Sequence, residues 1–120
     1  MASILIVDDE APIRALLRQI LEEDGHQIRE AVNSEHTLTL YRESPADLVI
    51  TDILMPERDG MDVTLELTRE FLDARVIAMT GVAGGQNFLN IAKLFGARGV
   101  IQKPFTVEAV RRVVRFTLAH

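Results

Sequence analysis

Five polar side chains of this sequence could form one reactive site, because each lies at or close to the end of a short apolar run. They are Asp8, Asp9, Asp52, Thr80 and Lys103. Three neighbouring carboxylates cannot all stay ionised without a counter-charge or a bound cation. Carboxylate oxygens with access to water suit Mg²⁺, while an ammonium and a hydroxyl can hold phosphate oxygens. The set is what transfer of a phosphoryl group to a carboxylate requires, with Asp52 as the nucleophile.

Each of these residues also has a purely structural interpretation. Asp52 could begin a turn, and Asp9 could cap a helix that begins near Pro12. Thr80 could be an ordinary β-branched strand residue, and Lys103 a solvated lysine before a turn proline. What favours a site is that all of them fall at matching strand ends.

The strands that must position them are five short apolar or β-branched runs, at residues 4–7, 27–32, 48–51, 75–79 and 99–102. Apolar residues at helical spacing follow each run and predict five helices. Strands that alternate with helices indicate right-handed βαβ units on one parallel sheet with helices on both faces. The carboxyl ends of parallel strands open on one edge, where such sheets bind ligands.

The helix boundaries follow from cap and turn residues. Pro12 lies in the first turn of the first helix, Ser34 caps the second, and Thr106 caps the last. The apolar residues at helical spacing are Ile13, Leu16, Leu17, Ile20 and Leu21 in the first helix and Val63, Leu65, Leu67, Phe71 and Leu72 in the third. A fourth helix is predicted after Gly84-Gly85, and the second strand is predicted at or near the sheet edge.

The composition narrows the class of protein. A chain of 120 residues with 48% hydrophobic residues can form one domain over residues 1–120 with its own core. It has no cysteine, which excludes disulfides and thiolate metal sites. Its net charge of −5 gives no electrostatic footprint for nucleic acid. Since there is neither a basic signal-peptide start nor an apolar run of about 20 residues, we expect a cytoplasmic protein without a membrane span.

These motifs, in this order and spacing, resemble the receiver domain of bacterial two-component response regulators over essentially the whole chain. The matching segments are Val7-Asp8-Asp9, Asp52-Ile53-Leu54-Met55-Pro56, Asp59-Gly60, Thr80-Gly81, Gly96-Ala97 and Lys103-Pro104-Phe105. The resemblance implies an α/β fold, namely a doubly wound, five-stranded parallel sheet in the flavodoxin-like order 2-1-3-4-5 with five helices. The implied process is two-component signal transduction.

The resemblance also implies roles for the residues. Asp52 would accept a phosphoryl group from a phosphohistidine of a sensor kinase or phosphotransfer protein and later lose it by weak self-catalysed hydrolysis. Thr80 and Lys103 would contact the phosphoryl group, next to a small residue at Gly81. The Lys103-Pro104 peptide bond would be cis. The implied ligands of Mg²⁺ are Asp8 (through water), Asp9, Asp52 and the backbone carbonyl of Leu54.

The signalling surface implied by the resemblance consists of the fourth helix, the fifth strand and the last helix. Its residues, the expected contacts of a downstream protein, are Leu89, Lys93, Gln102, Phe105, Ala109 and Val113. The structural alternative is that several of the apolar ones belong to the core. We expect a monomer or weak dimer that contacts neither nucleic acid nor membrane.

The sequence departs from the family pattern in two ways, which concern the conformational switch and the lifetime of the phosphoryl group. Val100 lies three residues before Lys103, where the family usually carries Tyr or Phe, so we predict a muted or rerouted conformational switch. Leu54 and Val82 are apolar where the family is often polar. Because both would flank the path of the hydrolytic water, we predict slow self-dephosphorylation.

Three other interpretations stay open on the sequence. A pseudo-receiver would bind partners without being phosphorylated, which the intact acid pair, Asp52, Thr80 and Lys103 argue against. A flavin-binding protein of the same fold would need a hydroxyl-rich phosphate loop after the first strand, where this chain is acidic. The sequence could also be a receiver excised from a longer regulator.

Overall fold

The computed structural model of the chain describes residues 1–53, 60–81, 90, 93–94 and 96–120. The strands are β1 (Ser3–Val7), β2 (Gln27–Ala31), β3 (Leu48–Asp52), β4 (Val76–Thr80) and β5 (Gly99–Gln102). The helices among the described residues are α1 (Ala11–Glu23), α2 (Ser34–Glu43), α3 (Gly60–Glu70) and the C-terminal helix α4 (Val107–Ala119). Most of the helix predicted after Gly84-Gly85, and that loop itself, lie outside the described residues.

All paired strands run parallel in the order β2-β1-β3-β4-β5, which confirms the predicted topology and places β2 at an edge. Every residue of β3 and β4 is buried, as expected for strands covered on both faces. Alternate residues of β1 enter different cores. Ile4 and Ile6 pack with α1 and α4, while Leu5 and Val7 pack with residues of α2 and α3.

The helix starts partly match the prediction. Thr106 caps α4 by accepting a hydrogen bond from the Ala109 N–H at 3.0 Å, which confirms that cap. The cap predicted at Ser34 is wrong, because Asn33 accepts the hydrogen bond from the His36 N–H and Ser34 is the first helical residue. Both are good capping residues. The sequence alone therefore could not decide whether Asn33 or Ser34 caps the helix.

The prediction that Phe71 and Leu72 lie on the third helix is wrong, and not every apolar residue at helical spacing in α1 is buried. Leu16 is 43% exposed, because one buried stripe of α1 already holds Leu17, Ile20 and Leu21. The helix α3 ends at Glu70, so Phe71 and Leu72 lie beyond it and Leu72 is 84% exposed. Phe71 packs instead against Tyr41, with ring centroids 4.8 Å apart.

The sheet brings the predicted site residues to one edge. The pairing of Val7 with Thr51 sets the ends of β1 and β3 side by side, and Asp52 pairs with Met79 near the end of β4. The pairing of Thr80 with Gln102 then places the end of β5 next in line. Among the described residues, none of the helices combines the length and the apolar character that a membrane span requires.

Candidate functional site

A lysine lies between two buried carboxylates at the carboxyl edge of the sheet. The Lys103 Nζ is 2.9 Å from Asp8 Oδ2 and 3.1 Å from Asp52 Oδ2. Asp8 is 0% exposed and Asp52 is 6% exposed. Lys103 is therefore not a solvated lysine before a turn. It compensates two acidic groups that come from different strands.

The protonation of this lysine follows from its neighbours. Burial lowers the pKa of Lys103, but hydrogen bonds and Coulomb attraction from Asp8 and Asp52 outweigh burial, and the net pKa is raised. The ammonium form is therefore stabilised at neutral pH.

Four carboxylates form one cluster around this lysine. Asp8, Asp9, Glu10 and Asp52 each offer an oxygen, and these oxygens lie within 4.8 Å of one another. Asp9 and Glu10 are exposed, so water reaches the cluster. Hard oxygen donors with water access fit Mg²⁺. The fourth predicted ligand, the carbonyl of Leu54, lies outside the described residues, as does Val82.

Glu10 is a member of the cluster that was not predicted. Its Oε1 lies 3.7 Å from the Lys103 Nζ. The signal was present, since Glu10 continues the acidic run of Asp8 and Asp9. The interpretation of Asp9 as a helix cap is wrong, because the residue at the N-cap of α1 is Glu10. The Glu10 side chain makes no capping hydrogen bond.

The loop that carries the acid pair is held by several hydrogen bonds. The Asp8 N–H donates to the Ala31 carbonyl at 3.3 Å, and the Asp8 Oδ1 accepts from the Glu10 N–H at 2.8 Å. The Asp8 carbonyl accepts a hydrogen bond from the Arg14 Nη1 at 2.6 Å. Arg14 was not predicted as part of the site, because residue types do not reveal where a backbone carbonyl points.

The other side of the site is formed by the ends of β4 and β5. Thr80 is the last residue of β4 and is buried, and its carbonyl accepts the Lys103 N–H at 2.7 Å. A Cβ added to Gly81 would lie 3.0 Å from the Lys103 Cβ, so glycine leaves room for the lysine stem. The Lys103-Pro104 bond is cis, which confirms that expectation. The contact of Thr80 with a phosphoryl group stays a prediction.

The predicted signalling surface is only partly open. Lys93 and Gln102 are exposed, whereas Phe105 and Val113 pack against the core and Ala109 is half-buried. Phe105 and Val113 are therefore partly core residues, as the structural alternative predicted. Leu89 lies outside the described residues. Two apolar side chains that were not predicted, Leu94 and Phe116, are exposed.

An open cavity of about 330 Å³ lies between β5 and α4, and we call it the β5–α4 groove. Its lining residues are Lys93, Arg98, Gly99, Val100, Arg112, Val113, Phe116 and Thr117. Val100 is half-buried in its wall. The buried Thr117 Oγ1 finds no hydrogen-bond partner in the described part of the chain.

Comparison with known proteins agrees with this geometry. The chain is 39% identical to the chemotaxis protein CheY of Halobacterium salinarum over 107 residues, which cover 89% of this chain and 88% of that one. It is 32% identical to sporulation initiation phosphotransferase F of Bacillus subtilis, with 93% of this chain and 90% of that one covered.

Solved structures and a family profile point the same way. The receiver domain of NtrX from Brucella abortus superposes with a TM-score of 0.92 at 30% identity, covering 97% of this chain and 98% of that one. The profile of the response regulator receiver domain matches residues 4–115. The acid cluster, the strand order and these matches lead to one conclusion: the chain belongs to the family of response regulator receiver domains.

Proposed function

We propose that this protein is a phosphoacceptor switch of a two-component system, in which Asp52 takes a phosphoryl group from a phosphohistidine. A carboxylate oxygen of Asp52 attacks phosphorus, so that an O–P bond forms while the N–P bond of the donor breaks. The imidazole leaves with the electron pair of that bond and takes up a proton. Later a water oxygen attacks the same phosphorus, the O–P bond to Asp52 breaks, and inorganic phosphate is released.

The observation that supports this proposal is the ammonium of Lys103 between two buried carboxylates. An ammonium already placed 3.1 Å from the acceptor oxygen can pass to an oxygen of the transferring group without a large movement. The Thr80 hydroxyl, at the end of the adjacent strand, would hold a second oxygen. Each group would then stabilise charge that is spread over the phosphoryl oxygens.

The acid cluster would hold Mg²⁺ through Asp9 and Asp52, with Asp8 acting through water and the Leu54 carbonyl as a further ligand. When bound, the ion neutralises the negative charge that the phosphoryl group brings to an already acidic edge. The exposed Glu10 is close enough to join the ligands or to hold a coordinated water.

The output would be a change of the face formed by the fourth helix of the family, β5 and α4. A downstream protein would bind there, through the residues named above for the signalling surface. With Val100 in place of an aromatic ring, we infer a muted or rerouted change. The proposal includes a cytoplasmic location and a monomer or weak dimer, as the resemblance to receiver domains implies.

The test is incubation with a small phosphodonor and Mg²⁺, followed by intact-mass measurement of wild type and of Asp52→Ala. We expect a gain of one phosphoryl group in the wild type and none in the variant. Asp73→Ala, which removes an exposed carboxylate in the turn before β4, is the matched control and should be phosphorylated like the wild type.

The second candidate is a pseudo-receiver that binds partners without phosphorylation. The observation that favours it is Val100, since a receiver that does not switch needs no aromatic ring at this position. A wild-type chain that gained no mass, with Mg²⁺ present and the fold intact, would support this candidate and contradict the phosphoacceptor.

A further inference from the structure

Arg14 connects the acid cluster to the edge strand. Its Nη1 donates to the Asp8 carbonyl at 2.6 Å, and its Nε lies 2.9 Å from the Glu30 Oε1 on β2. The side chain is only 15% exposed. We propose that Arg14, oriented by Glu30, is a positioning residue that fixes the Asp8–Asp9 peptide and thereby sets the affinity of the acid cluster for a divalent cation.

The physical reason is that one peptide unit joins the two acidic residues. The Asp8 carbonyl and the Asp9 N–H belong to the same plane, so a rotation of that plane redirects both side chains at once. Asp8 lies just beyond β1. A charge-assisted hydrogen bond from Arg14 fixes the carbonyl, and with it the plane, in one orientation.

Glu30 is well suited to hold the guanidinium in place. It accepts hydrogen bonds from two arginines, Arg14 at 2.9 Å and Arg18 at 2.7 Å. The hydrogen bond from Arg18 lowers the pKa of Glu30 most, burial opposes it, and the hydrogen bond from Arg14 lowers the pKa further. The carboxylate therefore stays ionised at neutral pH. The contacts thus run from β2 through the first turns of α1 to the loop that carries the acid cluster.

This inference rests on the proposed cation site, but its test does not depend on phosphoryl transfer. The variants are Arg14→Met, which keeps the stem without the donors, and Arg14→Lys, which keeps the charge without the planar fork. The matched control is Arg42→Met, which breaks a similar ion pair at 2.8 Å with Glu70, between α2 and α3 and away from the site.

The first measurement is the dissociation constant for Mg²⁺ by titration calorimetry. We expect Arg14→Met to raise it about 10-fold, the lower range for loss of a residue that orients metal ligands. Arg14→Lys should lie between Arg14→Met and wild type, and Arg42→Met should match the wild type. A wild-type constant in Arg14→Met, or an equal rise in Arg42→Met, would overturn the proposal.

The second measurement is amide hydrogen exchange of Asp9 and Glu10 in the metal-free protein, where no ligand contributes. Faster exchange of these two amides in Arg14→Met, with the rest of the sheet unchanged, supports the positioning role. Unchanged exchange contradicts it even if the wild type proves unable to be phosphorylated. If Arg14→Met does not fold, Glu30→Gln removes the orienting charge while keeping shape, and both measurements apply with the same expected direction.

Discussion

The acid cluster lies beyond the carboxyl ends of β1 and β3, whereas the β5–α4 groove is lined by residues of β5 and α4, and the two regions differ in how their buried polar atoms are paired. At the acid cluster, Asp8 and Asp52 are buried, yet each has the Lys103 ammonium within 3.1 Å. In the groove, the buried Thr117 Oγ1 has no hydrogen-bond partner among the residues that the structure describes. The buried carboxylates of the acid cluster are paired with a lysine that follows another strand, whereas the buried hydroxyl of the groove has no partner in the described part of the chain.

The difference separates a site whose charges compensate one another from a groove whose residues do not. Asp8, Asp52 and Lys103 depend on one another, because loss of the Lys103 ammonium leaves two buried carboxylates uncompensated. The groove has no comparable mutual dependence, and Val100 leaves space there that an aromatic side chain would fill. We infer that substitutions in the groove perturb the fold less than substitutions in the acid cluster.

The largest expected effect is that of Lys103→Met, which tests the mutual dependence directly. Loss of the ammonium leaves Asp8 and Asp52 buried and facing each other, so the free energy of unfolding should fall by about 3 kcal/mol. The rate of phosphorylation by a small donor should fall about 100-fold, as for loss of one charge-stabilising donor. Urea denaturation and intact-mass kinetics measure the two effects.

Two controls sharpen this prediction. Lys93→Met, in the groove, should change the free energy of unfolding by less than about 0.5 kcal/mol, because Lys93 is exposed. Adding Asp52→Asn to Lys103→Met should restore part of the lost stability, since it removes one of the two uncompensated charges. Equal losses in the two lysine variants would mean that the acid cluster does not depend on Lys103.

The sequence predicted the acid cluster well, for a physical reason. Asp52 ends a strand whose every residue is apolar or β-branched, and such a strand must be central and parallel. The alternation of strands and helices predicts that the ends of parallel strands meet at one edge of the sheet, while the strand order that brings Asp8 and Lys103 within reach of Asp52 was implied by the resemblance to receiver domains.

What the sequence did not predict depends on atoms that residue types do not specify. The bond from Arg14 ends on a backbone carbonyl, and the choice between Asn33 and Ser34 as cap depends on a shift of one residue. Leu16 fits the helical spacing of the apolar residues but is exposed, because α1 has more apolar residues than its buried stripe uses.

The second prediction concerns the open wall of the groove. A ring introduced by Val100→Tyr can occupy the cavity of about 330 Å³ and couple its position to the acid cluster. We expect small amide shifts in β5 and α4 when the wild type binds a phosphoryl mimic, and clearly larger shifts in Val100→Tyr. Val100→Leu, which is apolar but has no ring, is the control and should behave like the wild type. Large shifts already present in the wild type would contradict a muted switch.

The smallest expected effect concerns the unpaired hydroxyl of the groove. Thr117→Val removes a buried polar atom that has no partner in the described structure, so we expect the free energy of unfolding to rise by about 1 kcal/mol. Thr37→Val is the matched control: Thr37 is equally buried, but its Oγ1 donates to the Asn33 carbonyl at 2.8 Å, so its loss should lower stability by about 1 kcal/mol. Opposite signs in urea denaturation would show that the Thr117 hydroxyl is unsatisfied, whereas the Thr37 hydroxyl is satisfied. Equal losses in both variants would instead mean that Thr117 has a partner in solution, and the contrast between the groove and the acid cluster would then rest on Val100 alone.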